Sequence, residues 1–90
     1  MTTETKIHLN PDDMTIPERY KILIGSVVPR PIAFVSTCSK DGKLNLAPYS
    51  FFNAVCTNPP TVLFCPAIRG SDGEKKDTLK NIEETKEFVV

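Results

Sequence analysis

A small barrel or sandwich of antiparallel strands, decorated by two short helices, is the fold class the sequence predicts. Three observations carry that prediction. β-Branched and aromatic runs recur at 32–37, 44–52 and 61–65, and turn signals rich in Gly, Pro, Asp and Asn separate them at 39–43 and 57–60. Only two stretches, beginning near Thr15 and Asp77, carry helix-start signals. A doubly wound parallel sheet, which alternates strands with helices, does not fit this order.

Taken in order, residues 1–13 are polar, without periodic apolar pattern, and read as an arm or an early edge strand around 6–9. Thr15-Ile-Pro-Glu18 fits a capping box, in which Thr15 caps the helix, Glu18 reaches back to the cap N–H and Pro17 is tolerated in the first turn. The helix is expected to run to about Leu23, with Tyr20, Leu23 and Ile24 on its buried stripe and Gly25 as its stop. Residues 25–31 are then extended, because Pro29 and Pro31 hold Val28 and Arg30 away from helical geometry.

Residues 28–52, VPRPIAFVSTCSKDGKLNLAPYSFF, carry the most information. Residues 32–37 read as a strand, and Asp41-Gly42 supplies the positive φ of a hairpin turn. The returning strand starts at Leu44 and contains Pro48, which cannot donate to a ladder, so a break or bulge is expected near it. A bulge would leave backbone N–H and C=O groups for a ligand with a polar edge. The alternative is that Pro48 simply lies on a sheet edge, with Asn45 and Ser50 solvated.

Residues 57–60, Thr-Asn-Pro-Pro, form a turn, and 61–65 read as a nearly continuous apolar strand covered on both faces. After a loop at 66–76, a second helix is expected with Asp77 as cap, Leu79 and Ile82 buried, and Glu83 and Glu84 facing Lys80 and Lys86 on a solvated side. Residues 87–90 read as the opening of a further strand, which suggests a fragment of a longer protein or half of an obligate assembly.

Composition narrows the function classes. Eleven basic and eleven acidic residues give zero net charge, so no global field draws in nucleic acid or an anionic membrane, and neither partner is expected. No apolar run approaches the roughly 20 residues of a membrane-spanning helix, and the polar start lacks the regions of a signal peptide, which points to a soluble, cytoplasmic protein. Cys38, Cys56 and Cys65 form no CxxC pair and have only His8 as company for a metal, so no metal site is expected and the thiols read as reduced, small apolar residues. Cys65, at its strand end, packs in the core or touches a cofactor ring.

The segment 69–78 places a hydroxyl, ammonium groups and free backbone N–H donors near a helix start, the composition of a phosphate cradle, although a P-loop pattern is absent. Its other reading is a solvated lysine pair beside an ordinary cap. No serine or cysteine has a histidine in a recognisable motif, and no carboxylate pair stands where acid–base work could occur, so no catalytic side chain is identified. Binding features without a reactive group suit a protein that holds and orients a cofactor.

The ordered segments VPRPIAFVST, NLAPYSFF, NPPTVLF and KDTLKNIEETKEFVV, spread over 27–90, resemble the flavin reductase-like proteins with the FMN-binding split barrel, the group that includes flavoredoxin. The resemblance implies a mainly β, Greek-key split barrel with short helices, here incomplete. The whole of 1–90 would be a single domain forming the N-terminal part of that barrel, with 1–13 as its polar arm. It further implies noncovalent FMN, NADH or NADPH as electron donor, and a homodimer with flavin near the subunit interface. By matching position, Ser36, Thr37, Asn45, Leu46, Ala47, Ser50, Lys76, Asp77 and Thr78 would line the flavin site. Lys76, Thr78 and the hydroxyl of Ser36 or Thr37 would hold the phosphate, and backbone at 46–50 would face the isoalloxazine ring. The alternative function is a truncated split-barrel fragment serving as a non-catalytic binding or dimerisation module.

Overall fold

The computed structural model describes residues 5–67 and 73–90. Four strands and two helices follow one another: α1 (Ile16–Ser26), β1 (Ala33–Cys38), β2 (Leu44–Tyr49), β3 (Phe52–Cys56), β4 (Thr61–Phe64) and α2 (Asp77–Thr85). A 3-10 turn at Pro11–Asp13 precedes them, capped by Asn10, and no strand forms at 6–9.

β1 and β2 form one antiparallel pair, and β3 and β4 form another. The loop between β1 and β2 closes through Gly42 N–H to Ser39 O and Ser39 N–H to Lys43 O, both 2.9 Å, with Gly42 at φ 88. A left-handed residue at that point of a short hairpin loop is what Gly supplies at no steric cost.

The expected disruption at Pro48 is displaced. Pairing runs without interruption from Ala33↔Tyr49 to Cys38↔Leu44, with Pro48 opposite Phe34. Among the described residues β2 has a ladder neighbour on one side alone, so a residue without an N–H fits its open edge with the register intact. The break falls at Ser50-Phe51, where the chain leaves the first sheet and enters the second. A register shift does occur in the fold, between Ala54 and Cys56 in β3.

The turn at 57–60 stands as expected, but the strand after it does not become central. β4 stops at Phe64 and pairs with β3 alone, most of it exposed, and Cys65 is an exposed free thiol rather than a core residue. No second layer among the described residues covers it. At the chain's other end, Val89 bridges Ser36 through two backbone hydrogen bonds of 2.8 and 3.0 Å, so the 87–90 segment does join a sheet.

Both helices depart from the apolar stripes read from sequence. The capping box of α1 is present, with Thr15 N–H donating to Glu18 at 2.9 Å and Glu18 N–H to Thr15 Oγ1 at 3.3 Å. The helix, however, runs through Gly25 to Ser26 and buries no residue; Tyr20 and Leu23 are about half exposed. Its end is set by Val28-Pro29, which bars helical geometry, and by Arg30, which donates to the terminal carbonyls of Ile24 and Val27 at 3.2 Å each.

α2 begins one residue earlier than a cap at Asp77 would allow. Lys76 is the N-cap, its side chain makes no capping bond, and Asp77 is the first helical residue. The buried positions are Thr78 and Asn81, while Leu79 and Ile82 are only partly buried. Glu83 pairs with Lys75 at 2.9 Å and Glu84 accepts from the Lys40 N–H at 3.1 Å, in place of the expected Lys80 and Lys86. Lys86 closes the helix in the left-handed region, at φ 62.

The apolar core is small: Ala33, Val35 and Tyr49, with Ala47, Phe52 and Phe64 packed against it. Phe64 joins the two sheets, 5.2 Å from the Tyr49 ring and 5.0 Å from Phe88. A radius of gyration of 17.2 Å exceeds the compact-chain value, which is about 12 Å at this length. The sheets are therefore open rather than wrapped around one closed core.

Candidate functional site

Alternation along the hairpin decides what each strand offers. Thr37 and Asn45 are paired across the ladder on the face turned to α2, and Ser36 and Leu46 are paired on the opposite face. α2 docks on the first face through side-chain amides. Asn81 Nδ2 donates to Thr37 Oγ1 at 3.1 Å, and Asn45 Nδ2 donates to Thr78 Oγ1 at 2.9 Å. Thr37, Thr78 and Asn81 are all more than nine-tenths buried. A polar stripe spaced i, i+3 thus takes the place of an apolar one.

This docking brings predicted residues together. Asn45, Ala47, Lys76, Asp77 and Thr78 line one cavity of about 240 Å³, joined by Tyr49. Ser36, Thr37, Asn45 and Leu46 line a larger groove of about 560 Å³, with Cys38, Leu44 and residues 87–89. Asn45 belongs to both. Ser50 lines neither; its carbonyl and hydroxyl accept from Arg30 Nε and Nη2 at 3.1 and 3.2 Å. The 69–72 portion of the expected cradle loop lies outside the described residues.

The smaller cavity has the chemistry of an anion site. Lys76 brings an ammonium, the first turn of α2 starts without a side-chain cap, and Thr78 brings a hydroxyl. Tyr49 adds an independent sign. It is 5% exposed, and its hydroxyl is buried with no hydrogen-bond partner among the described residues. Leaving such a group unsatisfied costs about 1–3 kcal/mol. The Lys76 ammonium sits over the Tyr49 ring, 5.3 Å from its centroid, so cation and phenol share one wall. A phosphate, with acceptor oxygens only, fits this donor set; among the described residues Asp77 is the one acidic residue on the lining, exposed and next to Lys76 in sequence.

Sequence reasoning missed Tyr49, Asn81 and Arg30. Tyr49 follows Asn45 and Ala47 at period two, and Asn81 follows Thr78 at i+3, so both were legible as members of a face. Arg30 stands between two prolines, and its five-donor head also covers the Phe51 ring at 5.3 Å. Among the described residues no cluster of His, Cys, Asp or Glu is placed to hold a metal, and no helix is long and apolar enough to cross a membrane.

Comparison with known proteins gives the family and the fold. The model of the flavin reductase like domain matches residues 24–90. An uncharacterized protein of Aquifex aeolicus is 56% identical over 71 residues, covering 79% of this chain and 36% of its own length. Nitrilotriacetate monooxygenase component B from Bacillus cereus superposes with a TM-score of 0.82 at 43% identity, covering 96% of this chain and 42% of that one. Pseudomonas fluorescens 2-nitrobenzoate 2-nitroreductase NbaA gives a TM-score of 0.73 at 39% identity, over 93% of this chain and 39% of that one. The chain thus spans about two fifths of the length of these relatives, and its open sheets are those of an incomplete split barrel. With the match extending from α1 to the last residue, the chain belongs to the flavin reductase-like domain family.

Proposed function

We propose that this domain binds FMN noncovalently and takes part in electron transfer from NADH or NADPH. Family membership supports a flavin-related function, and the cavity at the start of α2 supports a phosphorylated flavin. The observation that carries the reading is the convergence on one cavity of Lys76, Thr78, an uncapped helix start and Tyr49, whose buried hydroxyl has no partner among the described residues. Bound flavin supplies hydride and electron chemistry that the side chains cannot.

The chain's own part is to bind and orient. Lys76 and Thr78 hold the phosphate, with Asp77 beside them. Asn45 stands beside them, Thr37 and Ala47 continue the wall toward the ring on the face turned to α2, and Ser36 and Leu46 contribute from the opposite face. Ser50, fixed by Arg30, keeps the backbone that follows β2 in place. Names of the structural neighbours suggest two outlets for the electrons, a separate monooxygenase component or a nitroaromatic compound. A homodimer is part of the proposal, because Phe34, Leu44, Leu46 and Val89 expose apolar surface beside the groove.

An absorption spectrum of the purified protein, with and without added FMN, tests the reading. A yellow complex bleached anaerobically by NADH or NADPH supports it, and failure of FMN to bind rejects it. The same exposed apolar surface favours the non-catalytic module as a second reading; dimerisation without flavin binding would select that one.

A further inference from the structure

We infer that Asn45 is a positioning residue for phosphate recognition, acting through Thr78 rather than by touching the flavin ring. The inference rests on the FMN reading above and gives a definite role to a residue whose matching position suggested only that it lines the flavin site. Asn45 Nδ2 donates to Thr78 Oγ1 at 2.9 Å. An amide N–H can only donate, so the Thr78 oxygen spends a lone pair on it and keeps its own proton for another acceptor. Among the described residues nothing takes that proton.

Thr78 is 1% exposed and lies in the first turn of α2, and it lines the cavity with Lys76. A buried hydroxyl with a fixed oxygen and a free proton is a preorganised donor. Tyr49, whose buried hydroxyl has no hydrogen-bond partner among the described residues, lines the same cavity. Asp77, an acidic residue on that lining, is exposed, so water screens its charge. The matching amide of Asn81, which donates to Thr37 Oγ1 at 3.1 Å, fixes the second buried hydroxyl in the same sense.

The test measures FMN, riboflavin and inorganic phosphate binding to the full chain as wild type, Asn45→Ala, Asn45→Asp, Thr78→Val and the double variant Asn45→Ala with Thr78→Val. Loss of one charge-assisted donor weakens FMN about tenfold in Asn45→Ala and in Thr78→Val, leaves riboflavin unchanged, and leaves the double variant no worse than the weaker single one. Asn45→Asp preserves shape but accepts the Thr78 proton, so it abolishes the preference for FMN over riboflavin. That preference is a ratio, insensitive to the fraction of protein that folds.

Equal weakening of both flavins by Asn45→Ala, or an unchanged preference in Asn45→Asp, overturns the inference while the flavin reading stands. If wild type binds neither flavin yet inorganic phosphate shifts the amide resonances of 76–78, the flavin reading fails; loss of those shifts in Asn45→Asp then upholds the positioning role, and their persistence overturns it. Binding of none of the three ligands rejects both.

Discussion

The two helices of this domain meet the sheets in opposite ways. α1 carries an apolar stripe, yet buries no residue and touches the connection between the two sheets through Tyr20, whose ring lies 6.1 Å from that of Phe51. α2 buries polar residues instead, and Thr78 and Asn81 reach the first sheet through directional hydrogen bonds. The difference teaches where specificity resides. Apolar contact tolerates sliding, whereas two amide-to-hydroxyl bonds fix the start of α2 against β1 and β2 to within bonding distance. The helix that must place a ligand-binding turn is the one docked by polar groups.

That contrast can be broken most sharply at Arg30, the residue that compensates for α1's lack of burial. Its guanidinium binds Ile24, Val27 and Ser50. Arg30→Ala should lower the unfolding free energy by roughly 2–3 kcal/mol, because part-buried charged hydrogen bonds are lost and their acceptors stranded. Denaturant titration measures this. A change within error would mean that α1 is held by something other than this clamp.

Asn81→Ala comes next, on the α2 side. It leaves the buried Thr37 hydroxyl without its donor, at a cost of about 1–2 kcal/mol. Tyr49→Phe sharpens the comparison from within the cavity: with its hydroxyl unpartnered, removal should leave thermal stability unchanged or slightly raised, yet weaken FMN a few-fold. Marked destabilisation with unaltered FMN affinity would show that the hydroxyl serves packing alone.

The smallest effect is the pH response of α1. The Thr15 backbone N–H, and then its hydroxyl, hold the Glu18 carboxyl below its ordinary value. A carboxyl depressed in the folded state contributes stability that is present above the unfolded pKa and lost as pH falls through the folded one. Amide exchange at the start of α1 should therefore quicken below the usual carboxylate range, while α2 stays protected. Parallel loss of protection in both helices would trace the acid response to another group.

Local signals in the sequence located the elements that depend on local chemistry. Thr15 and Glu18 close their box, Asp41-Gly42 turns the hairpin, and Asn58 through Pro60 makes a turn. What was illegible depends on neighbours. Pro48 stays in register because β2 has one open edge, a property of topology rather than of proline. The stripe of Leu79 and Ile82 lost to Thr78 and Asn81 because hydroxyls and amides on the facing strands offered complementary partners. Most of the proposed site residues gather in two adjoining cavities, since strand alternation and the start of α2 are sequence-local, but the hydrogen bond from Asn45 to Thr78 crosses 33 positions.

The central claim is that the start of α2 recognises the phosphate of a flavin. Equilibrium titration of the wild-type chain with FMN and with riboflavin, followed by flavin fluorescence, tests it most directly. Binding of FMN at least about tenfold tighter than riboflavin is the predicted result, the worth of a charge-assisted phosphate contact. Equal affinity for the two, or binding of neither, would contradict it.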